Sequence, residues 1–350
     1  MLNCNMKIGS KEIGPTNPVF IIAEAGVNHN NNLSLAFKMI DLAAKSGADA
    51  IKFQSFITDN MQLKEATQPR YQHKLPWGYY EQLKKSESSF DFQKKIIKYC
   101  KKKKIIFLST PYDEESVDFL VKMEVQAFKI SASDTTNHLF LKYIAKQKKP
   151  IILSTGLSTL DDVDKSVELL KKLKMKNKLI LLQTNSDYPT PNSDVNLRVI
   201  TEYMKRYNLL VGLSDHTVDY IASLGAVAMG ACVLEKHFTL NKKLSGPDQS
   251  SSLDPREFKN WISKVREMEI ILGKQKKFIT NSEKENLTMR KILTIKPAKK
   301  NSKIVLNLLA AKRGNIRGIL PLEQNINKIL GKKLTRTILS ETQFTWNMIK

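Results

Sequence analysis

Eight short apolar, β-rich bursts recur along the chain, and this recurrence restricts the fold more than any other feature. They are VFIIAEAG (19–26), ADAIKFQSF (48–56), IIFLSTP (105–111), QAFKISAS (126–133), PIILSTG (150–156), LILLQTN (179–185), LLVGLSD (209–215) and ACVLEKHF (231–238). Stretches with helical apolar spacing separate them. LSLAFKMIDLAAKSG stops at Gly47, DDVDKSVELLKKLKM opens on acids and closes on lysines, and FKNWISKVREMEIILG follows Pro255 and stops at Gly273. Segment 57–104 is longer and implies an insertion ahead of its helix. Strands that read as continuous apolar runs and alternate with helices belong to a parallel sheet covered on both faces. Eight such units predict an α/β fold, a closed (β/α)8 TIM barrel. An open doubly wound sheet fits less well, because AEAGVNHN after the first strand is not a GxGxxG fingerprint.

The pattern changes after Gly273. Residues 274–287 are polar and read as a linker. Residues 288–350 hold short apolar pieces (ILTI, IVLNLLA, IRGILP) and read as a small C-terminal domain. The barrel domain is thus expected over 1–273. A hydrophobic share of 41% in 350 residues supports a sizeable core. No apolar run approaches the ~18 residues of a membrane span, and the first residues contain no apolar signal region. Cys4, Cys100 and Cys232 lie far apart and form neither a disulfide framework nor a CxxC zinc pattern. A reducing cytoplasm is the expected compartment.

The formal charge of +23, from 57 Lys+Arg and 34 Asp+Glu, first suggests a nucleic-acid or membrane partner. The distribution argues against it. KKKK (101–104) and KKLKMKNK (171–178) sit where helices end, and no basic stretch is interleaved with aromatics as a stacking platform would be. Residues 281–350 hold 15 Lys+Arg against 4 Asp+Glu, so the charge concentrates in the small domain. Neither a nucleic-acid nor a membrane partner is expected.

A barrel of this kind carries its site at the C-terminal ends of its strands. The polar residues there are Glu24, Lys52, Gln54, Ser109, Thr110, Lys129, Ser131, Ser133, Ser154, Thr155, Gln183, Asn185, Ser186, Ser214, Asp215, His216, Glu235, Lys236 and His237. Some have a plain alternative use: Ser109, Thr155 and Asp215 are good helix-cap or turn residues. Lys52 and Lys129 do not, and two strand lysines facing one pocket call for an anion, which suggests a phosphate or carboxylate substrate. His216 and His237 close the seventh and eighth strands and become neighbours at the barrel mouth. Such a pair suits Mn2+ or Zn2+, although a His pair alone is more often a structural or hydrogen-bonding pair. Glu24, Asp215 and Asp248 add weight to a metal or acid–base role.

Taken together, EAGVNHN, ADAIKFQSF, FLSTPYD, KPIILSTG, GLSDHT, GACVLEKHFTL and SGPDQSSSL, in this order, resemble the sialic acid synthase family. The tail, from MRKILTIKPAKKN through KRGNIRGILP to LGKKLTRTI, resembles that family's antifreeze-like (SAF, β-clip) domain. The resemblance implies condensation of phosphoenolpyruvate with an N-acetylmannosamine-type sugar, giving a nine-carbon 2-keto acid and phosphate by C–O cleavage. A di-acetamido trideoxy hexose is the alternative acceptor, which would make the product legionaminate or pseudaminate. The resemblance assigns His216 and His237 to a divalent metal, Mn2+ first and Mg2+ or Co2+ as alternatives, which would polarise the open-chain aldehyde. It places Lys52, Thr110, Lys129, Ser131, Ser133, Ser154, Ser186 and Ser214 around phosphoenolpyruvate. It places Glu24, Gln54, Asp134, Tyr188 and Asp248 around the sugar, and gives Glu24, Lys52, Gln54 and Asp248 the catalytic work. It further implies a domain-swapped homodimer, with the SAF domain of one subunit over the barrel of the other and an arginine reaching the acylamino group. Arg313 is the match; Arg317 is a second candidate, because KRGNIRGILP lacks the proline of the family's KRPG-type motif and is one residue longer.

Several positions depart from the family pattern. KIPSGE reads KISASD, with Ala132 at the usual serine; Gln183 and Thr184 replace His and Cys; Gln249 replaces the histidine of GPDH; and Asn31 replaces the glycine of NHNG. The histidine pair and both lysines are retained, which favours an active enzyme with a retuned pocket. The competing readings are an inactive barrel homologue and a basic polyanion-binding protein.

Overall fold

The computed structural model describes residues 5–69, 78–315 and 317–350. The chain divides into two compact units, Met1–Gly273 and Lys274–Lys350. The first opens with an antiparallel hairpin, β1 (Met6–Ile8) and β2 (Lys11–Ile13). Eight parallel strands follow: β3 (Phe20–Gly26), β4 (Ala50–Ser55), β5 (Ile106–Pro111), β6 (Phe128–Ile130), β7 (Ile151–Ser154), β8 (Leu179–Thr184), β9 (Leu210–Asp215) and β10 (Val233–His237). Their order is β5-β4-β3-β10-β9-β8-β7-β6, and β5 lies against β6 without a ladder between them. The sheet is therefore a ring, and the eight strands expected from the sequence are all present. The fourth of them, β6, is shorter than 126–133 suggests, because the chain turns into a single 3-10 turn (Ala132–Asp134) capped by Ser131.

Helices follow the strands: α1 (Leu33–Ser46), α2 (Thr58–Met61), α3 (Tyr79–Ser86), α4 (Phe90–Lys103), α5 (Glu114–Lys122), α6 (His138–Lys146), α7 (Leu160–Lys172), α8 (Arg198–Tyr207), α9 (Ile221–Ala228) and α10 (Pro255–Leu272). Their ends obey the expected chemistry. Thr159 and Asp254 make capping boxes at α7 and α10, Gly47 ends α1 in the left-handed conformation, and Lys101–Lys103 occupy the last turn of α4. The insertion ahead of α4 consists of α2, α3 and their connections, part of which lies outside the described residues.

Side-chain alternation along the strands sorts the barrel into two environments. One set of positions (Ile21, Ile51, Leu153, Leu181, Val211, Leu234) packs with the helices. The other (Phe20, Ile22, Ala50, Leu108, Ile152, Ile180, Leu182, Val233) fills the barrel interior together with Ile8 and Ile13 of the hairpin. The hairpin, which the strand pattern does not announce, thus adds apolar side chains to the interior core. Continuing the interior parity toward the strand ends reaches polar residues: Glu24, Lys52, Gln54, Thr110, Lys129, Ser154, Ser214, Glu235 and His237.

The second unit has its own core of Leu293, Ile295, Ile304, Ile329, Leu334, Ile338, Phe344 and Met348. A helical turn, α11 (Asn281–Lys284), lies in the segment read as linker, and β11 (Lys291–Ile295) pairs antiparallel with β12 (Leu309–Arg313) and β13 (Thr342–Gln343). Helix α12 (Glu323–Ile329) lies between the last two strands in sequence. Among the described residues no helix is long and apolar enough to cross a membrane.

Candidate active site

A cavity of about 700 Å3 opens at the C-terminal ends of the barrel strands. Glu24, Lys52, Gln54, Thr110, Lys129, Ser131, Ser133, Asp134, Ser154, Ser186, Tyr188, Ser214, His216, His237 and Asp248 all line it, so every barrel residue assigned from the sequence is brought together. Arg313 is exposed at the end of β12, opposite Lys291, in the second unit. Of the remaining strand-end polar groups, Glu235 also lines the cavity, whereas strand parity turns Ser109, Gln183, Asp215 and Lys236 away from it. Ser109 bonds Ser55 Oγ at 2.6 Å, the Gln183 amide donates to the Val195 carbonyl, and Thr155 donates to the Leu182 carbonyl. Asp215 accepts from Thr217 and pairs with Lys236 at 3.0 Å. These groups serve the walls of the barrel, and neither Ser109 nor Thr155 caps a helix.

At the floor lies a buried charge network. Lys52 Nζ is 2.7 Å from Glu24 and 3.8 Å from Glu235, and it donates to Thr110 Oγ1 at 3.1 Å. Lys129 Nζ is 3.7 Å from Glu235 and donates to Ser154 Oγ at 2.7 Å. Ser214 donates to the same Glu235 oxygen at 2.9 Å. The lysines therefore already face protein carboxylates, which corrects the expectation that only a bound anion could balance them. Glu235 stood among the strand-end residues without a role, yet it is the hub between both lysines. Its identity was legible; its centrality depends on β10 lying across the barrel from β6.

Burial sets the protonation states. It pushes Glu24 up to about 7 against the pull of Lys52, and Asp248 up to about 6. It pulls Lys129 down to about 8. Burial also works against the charge of Lys52, but Glu235 and Glu24 outweigh it and hold that lysine above its ordinary value. Glu24, Gln54 and Asp248 converge on one point. A Cβ placed on Gly26, whose φ is +50°, would lie 3.2 Å from Glu24 Oε1, 3.5 Å from Asp248 Oδ2 and 3.6 Å from Gln54 Nε2. Two carboxyls with pKa values near neutrality and one amide around a common point suit proton transfer to and from a hydroxylated substrate.

The two histidines are neighbours, with ring centroids 5.3 Å apart, and Tyr188 packs against both at 4.2 and 5.4 Å. His216 Nδ1 donates to the Asn185 carbonyl at 2.6 Å, which leaves Nε2 to carry the lone pair. His237 Nδ1 is buried without a hydrogen-bond partner. Burial pulls His216 down to about 4 and His237 well below its ordinary value, so both rings are neutral. Neutral imidazoles, one oriented by a carbonyl and one with an unsatisfied nitrogen, are a donor pair that fits a divalent transition metal. Among the described residues no cluster of three or more His, Cys, Asp or Glu side chains occurs.

An enzyme class is defined by these features: a parallel barrel whose mouth holds paired lysines, near-neutral carboxyls and two neutral imidazoles. The chain belongs to the NeuB family, whose model matches residues 39–277. It is 41% identical over 319 residues to the N,N'-diacetyllegionaminic acid synthase of Campylobacter jejuni, covering 89% of this chain and 96% of that protein. It is 36% identical over 363 residues to the protein of the same name from Legionella pneumophila, covering 100% of both. The crystal structure of the N-acetylneuraminic acid (sialic acid) synthetase of Leptospira borgpetersenii, in complex with citrate, superposes with a TM-score of 0.71 at 33% identity. The match covers 81% of this chain and 95% of that one.

Proposed function

We propose that this protein condenses phosphoenolpyruvate with the open-chain aldehyde of an acylamino hexose, yielding a nine-carbon sialic-acid-type 2-keto acid and phosphate. The observation that carries the reading is that one cavity gathers two lysines and several hydroxyls together with carboxyl, amide and phenol groups. On this reading Lys52 and Lys129, with Thr110, Ser131, Ser133, Ser154, Ser186 and Ser214, hold phosphoenolpyruvate. Glu24, Gln54, Asp134, Tyr188 and Asp248 face the sugar. The lysines hold phosphate and carboxylate as fixed cations, and because they are already placed by Glu24 and Glu235 they need no rearrangement on binding. Glu24 and Asp248, poised between their two protonation states, deliver a proton to the aldehyde oxygen as the new C–C bond forms and take one from the water that adds at C2. A divalent metal at His216 and His237, Mn2+ first, would supply Lewis-acid polarisation of the aldehyde when bound.

The likeness to two diacetyllegionaminic acid synthases favours a di-acetamido trideoxy hexose over N-acetylmannosamine as acceptor. The second unit is proposed to be an SAF domain that closes the partner's barrel in a homodimer, with Arg313 or Arg317 reaching the acylamino group. Exposed Leu157, Val218 and Ile221, on the loop after β7 and the segment after β9, support a covered mouth, because large apolar side chains gathered at one end of a barrel gain by contact. The test is phosphate release from phosphoenolpyruvate with each acceptor at saturating Mn2+. Release with the di-acetamido sugar at the higher kcat/KM supports the reading; no release with either acceptor sinks it.

A further inference from the structure

One wall of the cavity is not built on the barrel strands. The insertion after β4 supplies it, with Asn60, Gln62, Tyr79 and Gln82 facing the cavity. Its two helices hold each other: Lys84 pairs with Asp59 at 2.9 Å, and the Glu87 carboxylate accepts the Thr58 amide at 2.8 Å. An exposed contact from Asn60 to Glu115 at 3.2 Å steadies α2. The turn 85–88 that ends α3 is tied to the barrel from two directions. From β4, Ser55 Oγ donates to Gln93 Oε1 at 2.6 Å, and Gln93 Nε2 donates to the Ser88 carbonyl at 3.2 Å. From the loop after β3, Asn31 Nδ2 donates to the carbonyls of Lys85 and Glu87, both at 2.9 Å, and Asn31 Oδ1 accepts from Ser88 Oγ at 2.6 Å.

Asn31 has φ +54°, the left-handed region in which glycine is unstrained and asparagine is tolerated. The backbone alone therefore does not call for asparagine here, and its side chain spends three hydrogen bonds on one turn 54 to 57 residues away. We propose that Asn31 is a positioning residue for the acceptor sugar: through the 85–88 turn it fixes the wall that carries Tyr79 and Gln82. The residues assigned to phosphoenolpyruvate, on the barrel strands and on the turns after β6 and β8, do not depend on it. This inference rests on the proposed condensation and deepens it by naming what sets acceptor affinity.

Asn31→Gly isolates the side chain, because glycine keeps the positive φ without penalty while all three bonds are lost. KM for each substrate and kcat are measured for wild type and variant, together with hydrogen exchange of the 79–88 amides. The acceptor KM should rise about ten- to a hundredfold, as expected for a displaced binding wall, with the phosphoenolpyruvate KM within about twofold. The 79–88 amides should exchange faster. Ser88→Ala, which removes one of the three bonds, should move the acceptor KM in the same direction by less. An unchanged acceptor KM, a parallel rise in both KM values, or unchanged exchange overturns the proposal. Wild-type turnover is recorded first, so its absence counts against the condensation itself, whereas the exchange measurement needs no turnover and still decides the tie.

Discussion

Replacing His29 with phenylalanine should flatten the acid limb of the barrel's stability profile. His29 is 1% exposed and lies between the rings of Phe53 and Phe92, at centroid distances of 5.7 and 5.0 Å. Its Nδ1 accepts the Asn31 amide, so the folded state holds the neutral ring, and burial pulls its pKa from 6.5 down to about 4. In the unfolded chain the ring takes a proton near its ordinary value. Between those two values the unfolded state binds more protons, so stability falls as pH falls from about 6.5 to about 4 and changes no further below that. Integrating over a depression of this size gives a loss of about 3 kcal/mol between pH 7 and pH 4. Phenylalanine keeps the ring contacts and cannot titrate. It leaves the Asn31 amide without its acceptor, at a cost of about 1 kcal/mol. The variant should therefore be less stable at pH 7 and more stable at pH 4, by about 2 kcal/mol, with the curves crossing between. Urea unfolding followed by far-ultraviolet circular dichroism at pH 4, 5, 6 and 7 reads this directly. Other acid-titrating groups are common to both proteins and cancel in the difference. Parallel profiles with a constant offset would mean that His29 takes up its proton alike in the folded and unfolded chain.

Glu235→Gln removes the carboxylate shared by Lys52 and Lys129 and should cost about 3–5 kcal/mol of stability, as breaking a buried ion network does. Its turnover should fall on the order of a hundredfold, and unchanged kcat and thermal midpoint would contradict the hub role. Gly156→Ala puts a Cβ 2.6 Å from Ser186 Oγ and 2.9 Å from Thr184 Cγ2. The phosphoenolpyruvate KM should then rise about tenfold while the acceptor KM moves less, and steady-state kinetics with an unaltered phosphoenolpyruvate KM would count against this placement. Mixing His216→Ala with Arg313→Ala should restore part of the activity if the arginine serves the partner's barrel. No recovery despite demonstrated subunit exchange argues for Arg317 or against the swapped arrangement.

The barrel was legible because each strand is a continuous apolar run bounded by helix signals, and those signals depend only on neighbouring residues. The site was legible for a related reason: in a parallel barrel, the polar residues just past each run must meet at one mouth. What the runs leave open is parity. Ser109 and Thr110 are adjacent and both polar, yet only Thr110 faces the cavity, because alternate residues point to opposite sides of the sheet. Glu235 and Lys236 divide the same way. The N-terminal hairpin was not apparent, since MKI and KEI are too short to carry a period. The role of Asn31 was not apparent either: as a residue type it is an ordinary loop asparagine, and only contact with a turn more than fifty residues away gives its side chain a task.

In the proposed reaction phosphoenolpyruvate gives up its phosphate by C–O cleavage as the sugar is extended. Phosphoenolpyruvate labelled with 18O at the bridging oxygen tests this most directly, with mass spectrometry of the phosphate and the keto acid from one turnover with the di-acetamido acceptor. The label should leave entirely with phosphate, and the C2 oxygen of the product should come from water. Label retained at C2 would mean P–O cleavage and would contradict the mechanism, even if a nine-carbon acid were formed.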